Sequence, residues 1–253
     1  MSFQLHEEVL ERIKSADPDR VRAAYFAEEE ARRRLMLLYA FHLELAKVPE
    51  LVSEPMIGQI RYQWWRDAIA EIYETDSVRK HEITTPLRQL LLDFEIPRFW
   101  VDQLIDGRER DIDPRPFETL SEARDYSANT SGVLMKIAVK LFNVDPPETI
   151  GFAGTAWGLT GLARAYPYYH QSMLQDVAFD AICDAARENY MSAKKGITDL
   201  ETEVFPAVAY TALIPSYLKR LTQTNFDPKT EAVTYTAFAK QTRLLMAVLR
   251  GKV

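Results

Sequence analysis

The chain has 253 residues, 47% of them hydrophobic, which is enough to bury a large core in one large domain or two smaller ones. Its net charge of −6 argues against a dedicated nucleic-acid binder, because neutralising phosphates requires clustered Lys and Arg. The one cysteine, Cys183, permits no internal disulfide and no thiolate metal cluster, so we expect a reducing compartment.

The sequence shows no membrane-spanning or targeting segment. No apolar run reaches the roughly 18 residues typical of a transmembrane helix. The first residues, SFQLHEEVLERI, are acidic and mixed, unlike a secretory signal or an Arg-rich transit peptide. We therefore expect a cytoplasmic protein.

Helical periodicity dominates the chain, and most prolines and glycines fall between the apolar-periodic blocks. Asp17-Pro18 and Ser53-x-Pro55 are typical helix starts, with a capping residue before a proline in the first turn. No stretch alternates with period two for long enough to predict a strand. The sequence thus predicts a single all-α domain over residues 1–253. The predicted helices cover residues 4–15, 18–47, 55–74, 84–94, 97–108, 119–142, 147–165, 171–195, 203–223 and 228–250.

Four glycines, at positions 151, 154, 158 and 161, fall on one face of a predicted helix. Each glycine costs about 1 kcal/mol relative to alanine inside a helix, so the stripe needs a reason. Close contact with a neighbouring helix is the favoured reason, and room for a bulky ligand is the alternative.

Three acidic clusters have carboxylates spaced by about one helical turn, as Mg²⁺ ligands on a helix face would be. Arginines are interleaved with the first two clusters, so we favour salt-bridged faces over metal binding there. The third is more typical of a solvated surface. The clusters are Asp67 with Glu71; Asp102, Asp106 and Glu109 with Asp111; and Asp176, Asp180, Asp184 and Glu188.

Other catalytic patterns are missing from the sequence. The four histidines are scattered without metal-binding spacing, and there is no G-x-S-x-G, P-loop or G-x-G-x-x-G motif. Cys183 has no flanking motif for a nucleophile, so we expect a buried structural cysteine. The tyrosines of RAYPYYH could line a pocket, although packing is the commoner role of an aromatic cluster.

The segment from Leu38 to Tyr73 reads LYAFHLELAKVPELVSEPMIGQIRYQWWRDAIAEIY. Its LYAF start and its W-x-x-x-I-x-x-x-Y end resemble the first conserved block of the squalene/phytoene synthase family. Three further blocks resemble the family in the same order, namely LIDGRERDID with YSANTSG, GTAWGLTGLARA, and PAVAYTALIPSYLKRLTQTNFDP. This resemblance implies an all-α helical bundle of the isoprenoid-synthase type with a central cavity.

Both aspartate-rich motifs that hold Mg²⁺ in enzymes of that family are absent. Where the first would stand, the chain reads AKVPE at 46–50, and after Arg164 it reads AYPYY instead of the second. The resemblance therefore implies a catalytically degenerate member with no catalytic residues, no metal site and no cofactor. The alternative is an active Mg-dependent head-to-head prenyltransferase that condenses two farnesyl or geranylgeranyl diphosphates at relocated carboxylates such as Asp67/Glu71 and Asp180/Asp184.

A subgroup of the family matches more closely. The runs F-x-x-E-L-A-x-V (41–48) and S-E-x-x-I-G-x-x-R-x-Q-x-W (53–65) resemble the subgroup that serves in assembly of respiratory complex I, and so do YSANTSG and LARAYPY. This resemblance implies respiratory complex I subunits or other assembly factors as partners. It also implies an isoprenoid lipid, such as a quinone tail, as a ligand and contact with the periphery of the inner membrane. A plain partner protein with a filled core is the third possibility.

The resemblance also suggests which residues line the cavity. Arg61 and Arg164 could bind an anionic head group without metal, a role that a guanidinium pointing to bulk solvent would contradict. The ten candidates are Phe41, Glu44, Arg61, Trp65, Tyr126, Asn129, Thr130, Gly158, Gly161 and Arg164.

Overall fold

The computed structural model describes residues 5–113 and 115–251, and every regular element within these ranges is helical. The buried apolar side chains form one continuous cluster to which all twelve of the α-helices in these ranges contribute. No helix in the described ranges is both long enough and apolar enough to cross a membrane. The α-helices are α1 (Glu7–Ala16), α2 (Pro18–Ala24), α3 (Glu29–Ala46), α4 (Pro55–Glu74), α5 (Thr84–Asp93), α6 (Arg98–Glu109), α7 (Leu120–Ser127), α8 (Val133–Lys140), α9 (Glu148–Tyr169), α10 (Phe179–Thr198), α11 (Ile214–Leu221) and α12 (Ala237–Arg250).

The two predicted proline starts are correct, but only one of the two predicted caps is. Asp17 caps α2, since its carboxylate accepts the Arg20 backbone N–H at 3.3 Å. Helix α4 begins at Pro55 after Glu54, whose side chain makes no capping hydrogen bond, so the prediction of Ser53 as the cap is wrong. The predicted start of the first helix at residue 4 lies outside the described residues.

The helix predicted over 18–47 is two helices. Between α2 and α3 the backbone tightens, because Phe26 and Ala27 donate to carbonyls only three residues back, at 3.1 and 3.0 Å. No glycine or proline marks this break in the sequence. The bend lets α2 turn away and pack against the C-terminal part of the chain, which it contacts through 3-10 turns at Phe205–Ala207 and Ala209–Leu213.

Four later boundaries also differ from prediction. Helix α9 continues through Pro167 to Tyr169. Pro167 lies in the last turn and has no N–H for the carbonyl four residues before it, so it removes one hydrogen bond near the end of the helix. Helices α10, α11 and α12 start later than predicted because the stretches before them form turns, 3-10 helix or irregular backbone.

The helix predicted over 119–142 is interrupted by a π-helical turn, Ala128–Gly132, between α7 and α8. Helix α9 packs on this turn through its glycines. A Cβ atom at Gly154 would lie 2.3 Å from the Ser131 carbonyl oxygen, and one at Gly158 would lie 2.8 Å from the Ser127 Cβ. Close contact, the favoured explanation of the stripe, is therefore confirmed at these two glycines, whereas a Cβ at Gly161 would meet nothing within 4 Å.

Candidate functional site

The ten candidate residues lie in three places. Glu44, Arg61 and Trp65 line one surface groove, with Phe41 packed behind it. Tyr126, Asn129 and Thr130 belong to the end of α7 and the π-helical turn, against which Gly158 packs, and Gly161 and Arg164 lie further along α9.

The groove has a volume of about 310 Å³ and lies between the end of α3, the 3-10 turn Val48–Leu51 and α4. It occupies the position in the chain where the first aspartate-rich motif would stand, since AKVPE joins α3 to this turn. Apolar and aromatic side chains dominate its walls. The residues that line it are Glu44, Val48, Leu51, Ile60, Arg61, Trp64, Trp65 and His81.

Trp65 anchors the groove. Its ring is buried and meets the rings of Phe41, Trp64 and His81 edge-on, with centroids 5.3, 5.0 and 5.4 Å apart. Such edge-to-face pairs are the favoured geometry of aromatic rings and each adds about 0.5–1.5 kcal/mol beyond area burial. The Arg79 guanidinium lies 5.3 Å from the centre of the Trp64 ring and fixes its outer side. The aromatic wall of the groove is therefore held by several ring contacts.

The two charged candidates of the groove differ in their environment. Glu44 lies 3.6 Å from an Arg12 nitrogen, so its charge is partly balanced. Arg61 is exposed, and no carboxylate among residues 5–113 and 115–251 lies within ion-pair distance of it. The structure thus places Arg61 at the rim, where it can meet an anionic group arriving from solvent. A role for Arg61 on a head group inside the protein finds no support in this position.

Tyr126 belongs to a closed charge network around Arg108. The Arg108 guanidinium donates to Asp111 at 3.0 Å, to the Tyr126 hydroxyl at 2.8 Å and to His42 Nε2 at 2.8 Å. The Tyr126 hydroxyl in turn donates to Asp111 at 2.6 Å. Thr130 donates to the Tyr126 carbonyl at 2.7 Å and supports the same turn. These side chains satisfy most of one another's hydrogen bonds, as in a structural network, and Arg108 Nε is buried without a partner among the described residues.

His42 is the titratable group of this network. Because arginine can only donate, His42 Nε2 must accept, which keeps the imidazole neutral. Burial, together with the charges of Arg108 and Arg20, holds the pKa of His42 well below its usual value of about 6.5.

The protein is expected to lose stability below pH 6.5 through His42. In the unfolded chain this histidine binds a proton near pH 6.5, while in the folded protein it does not, so the free energy of unfolding should fall by about 1.4 kcal/mol per pH unit. Urea unfolding at pH 7, 6 and 5 measures the slope, which should vanish in His42→Gln. Hydrogen bonds from Arg115 lower the pKa of Asp113 to about 2, so the stability that Asp113 contributes is lost only below about pH 4. An equal slope in both proteins would contradict this assignment.

A second buried arginine lies where α2 meets the C-terminal part of the chain. Arg20 pairs with Asp17 at 2.5 Å and lies 5.1 Å from the centre of the Tyr210 ring. The nearby hydroxyls of Tyr39 and Tyr210 are buried without a hydrogen-bond partner among the described residues. The protein interior here is polar, so the apolar cavity expected from the resemblance stays a prediction.

Arg164 does not point to bulk solvent. It is half-buried, and its guanidinium lies 4.1 Å from the centre of the Tyr217 ring. The open space beside Gly161 lies one helical turn before it on α9. A ligand contact at Arg164 stays a prediction.

The acidic clusters do not fit Mg²⁺. In the first two, arginines pair with the carboxylates, and in the third the carboxylates are exposed. Salt-bridged faces are thus confirmed for the first two, although most of the pairing arginines come from outside the clusters and only Arg108 with Asp111 is an interleaved pair. No group of three potential metal-ligating side chains converges anywhere in residues 5–113 or 115–251. The ion pairs are Arg79 with Glu71 (2.6 Å); Arg66 with Asp106 (2.6 Å) and Glu109 (2.5 Å); Arg98 with Asp102 (3.3 Å); Arg108 with Asp111 (3.0 Å); Arg187 with Asp184 (2.6 Å); and Arg124 with Glu188 (2.7 Å).

Sequence reasoning missed several residues of these sites. Trp64, next to Trp65 in the sequence, could have been found as the second half of a WW pair. His81 and Arg12 come to the groove from distant segments and carry no local signal. Arg20 and Lys240, which is the partner of Asp19, were also missed. Their contacts join parts of the chain that are distant in sequence.

The all-α architecture is that of the isoprenoid-synthase fold. The structure superposes on a dehydrosqualene synthase with a TM-score of 0.73, covering 96% of this chain and 94% of that one at 14% identity. It superposes on the squalene synthase HpnC from Alicyclobacillus acidocaldarius with a TM-score of 0.67, covering 85% of this chain and 92% of that one, also at 14% identity. At such identities the likeness establishes the fold alone.

The chain belongs to the squalene/phytoene synthase family, whose family model matches residues 13–176. Among its relatives is the NADH dehydrogenase (ubiquinone) complex I assembly factor 6 of Mus musculus, 24% identical over 252 residues. That alignment covers 88% of this chain and 75% of the mouse protein. The family resemblance drawn from the LYAF and later blocks is thereby confirmed.

Proposed function

We propose that the protein is a non-catalytic member of its family that assists the assembly of respiratory complex I by binding a partner at the groove of Trp64 and Trp65. The observation that carries the proposal is the exchange at the end of α3. There the chain reads AKVPE at 46–50, where the family resemblance would place metal-binding aspartates, and the aromatic groove with the exposed Arg61 lies beside this stretch. The similarity to a mouse protein named as a complex I assembly factor supports the proposed role in assembly.

Prenyl transfer would require hard oxygen ligands that hold Mg²⁺ against a diphosphate. The carboxylates that could have taken over this role are engaged elsewhere, since Arg66 bridges Asp106 and Glu109 and Arg79 binds Glu71. Moving them to a metal would leave those arginines without partners. We therefore include neither a metal nor another cofactor in the proposal.

The surface around the groove suits a protein partner. Leu51, Met56, Ile57 and Ile60 are exposed apolar side chains beside or on the groove, and Arg61 lies among them. A contiguous apolar patch with a charged rim is typical of a recognition site. A segment with apolar side chains and one carboxylate, from a complex I subunit or another assembly factor, fits this surface. The apolar walls would also accept a prenyl chain such as a quinone tail.

Complementation tests the role in assembly. In cells that lack their own assembly factor 6, wild-type protein directed to the compartment where complex I is assembled should restore NADH:ubiquinone oxidoreductase activity. Ile60→Asp/Arg61→Ala should not restore it, because it removes an apolar contact and the exposed guanidinium at the rim of the groove. Phe99→Ser/Met191→Ser, which alters equally exposed side chains elsewhere, serves as the control and should restore it. Restoration by the groove variant, or failure of the folded wild type, would contradict the proposal.

Turnover tests the absence of catalysis. With Mg²⁺ and farnesyl or geranylgeranyl diphosphate, the folded protein should release no diphosphate above the protein-free rate. Release that Asp67→Ala or Asp180→Ala abolishes would instead establish an enzyme with relocated metal sites.

A short-chain quinone tests the ligand of the groove. If pre-incubation with it blocks partner binding, the prenyl chain is a ligand of the groove.

A further inference from the structure

Helix α12 presents an apolar face that nothing in the described part of the chain covers. Phe238 is 83% exposed and Leu249 is 72% exposed, with Leu245 at 44% and Met246 at 41%. At about 100° per residue these four side chains fall within roughly one quarter to one third of the helix circumference. They therefore form an apolar strip on one face of the helix, in which the exposed Thr242 separates Phe238 from the other three.

The opposite face of α12 is firmly attached to the protein. Leu244 and Ala247 are buried against the core, and the Lys240 ammonium binds Asp19 of α2 at 2.8 Å. The helix is thus held in place with its apolar strip outward, and no unfolding or hinge motion is needed to expose the strip.

The strip lies in a stretch of sequence whose charged residues are all basic, in contrast to the rest of the chain. The sequence from Ala232 onward contains no Asp or Glu, so all 37 acidic residues of the protein precede it. Arg250 is exposed in the last turn of α12, and Arg243 lies with its guanidinium 4.9 Å from the centre of the Tyr235 ring. An anionic surface would attract this side of the protein and repel the acidic remainder.

We propose that α12 docks the protein on an anionic membrane surface, lying flat with Phe238, Leu245 and Leu249 at the boundary between head groups and acyl chains. An apolar strip with an aromatic residue and flanking cations is the pattern of helices that lie in this interface. A 14-residue helix is about 21 Å long, too short for the roughly 30 Å hydrocarbon core, which agrees with a flat orientation. The site is separate from the groove proposed to bind the assembly partner.

Vesicle co-sedimentation tests the proposal on the full-length protein. Vesicles of phosphatidylcholine with phosphatidylglycerol should bind the protein more strongly than vesicles of phosphatidylcholine alone. Phe238→Ser/Leu249→Ser should weaken the binding by about tenfold or more, since two large apolar side chains no longer enter the interface. Arg243→Gln/Arg250→Gln should abolish the preference for anionic vesicles, and the control Phe99→Ser/Met191→Ser should bind like wild type.

A fluorescent label reports on the depth of the helix. Leu249→Cys and Met191→Cys place a thiol on α12 and, as control, on exposed α10. The native Cys183 is buried and burial raises its pKa to about 12, so it does not compete for a maleimide. An environment-sensitive label should shift to the blue with anionic vesicles at position 249 alone.

Two results would overturn the membrane proposal. One is equal vesicle binding by wild type and Phe238→Ser/Leu249→Ser, including no binding by either. The other is a dimer in sedimentation velocity that the same substitutions dissociate, because a second copy of the chain would then cover the strip. Ile60→Asp/Arg61→Ala should leave vesicle binding unchanged, so failure of the groove proposal and failure of the membrane proposal can be told apart.

Discussion

Asp19→Ala is expected to lower the free energy of unfolding by about 3–5 kcal/mol, because it leaves a buried ammonium without its counter-charge. Asp19 is only 3% exposed, and its two oxygens take the Lys240 ammonium at 2.8 Å and the Tyr217 hydroxyl at 2.9 Å. These contacts join α2 to α11 and α12. Urea unfolding, with a slope unchanged from wild type, measures the loss.

Two variants separate the buried pair from charge effects in general. Asp184→Ala removes a carboxylate whose partner Arg187 is largely exposed, so it should change stability by less than about 1 kcal/mol. Asp19→Leu/Lys240→Met replaces the buried pair with apolar side chains and should recover much of the loss. A loss of less than about 1 kcal/mol in Asp19→Ala would show that Lys240 finds water or another partner.

Gly154→Ala and Gly161→Ala are expected to change stability in opposite directions, although both lie on the same stripe of α9. At position 154 the new Cβ would lie 2.3 Å from a carbonyl oxygen of the π-helical turn, so backbone must move, at a cost of about 1–3 kcal/mol. At position 161 the Cβ meets open space, and alanine should gain up to about 1 kcal/mol from helix propensity. Thermal and urea unfolding of the pair measure both effects.

The same two variants also test whether the glycine stripe makes room for a ligand. If Gly161→Ala is stable but impairs complementation, the open space beside it serves a ligand or partner. If Gly154→Ala is as stable as wild type, α9 does not pack on the π-helical turn as closely as the structure places it.

Local signals in the sequence were sufficient for much of the fold. Prolines at 18 and 55 fix helix starts, since their φ angle suits a first turn and their missing N–H costs nothing there. The helical spacing of apolar residues correctly predicted most helices in the first two thirds of the chain. The family resemblance added the overall architecture, because ordered blocks constrain the topology where single helices cannot.

The remaining errors have physical causes. The break after Ala24 has no glycine or proline, and tertiary packing of α2 against the C-terminal 3-10 turns decides it. The region 203–236 contains helix-compatible residues, yet much of it is 3-10 or irregular, since burial there is satisfied without regular α-helix. Propensity is a weak guide where tertiary contacts compete with it.

The candidate site was predicted in part. Glu44, Arg61 and Trp65 line one groove because the 3-10 turn Val48–Leu51 contacts both the end of α3 and α4, two runs that are near in sequence. Tyr126 and Asn129 line a surface pocket of about 370 Å³, separate from the groove, and the Tyr126 hydroxyl also belongs to the Arg108 network, whose other members come from α3, α6 and the turn after α6. Such a network is set by which helices meet, and no local pattern encodes it.

The π-helical turn Ala128–Gly132 sets the rotational phase between α7 and α8. Each π turn holds nearly one residue more than an α turn, so it rotates everything that follows by roughly 100° about the helix axis. Regular α-helix through the same five residues would swing the buried face of Val133–Lys140 out of the core, whereas deletion of one residue would let a regular α turn replace the wide turn and leave that face in place. The turn therefore accommodates one extra residue without disturbing the packing of α8, and a one-residue alignment gap in this stretch would be compatible with the same bundle.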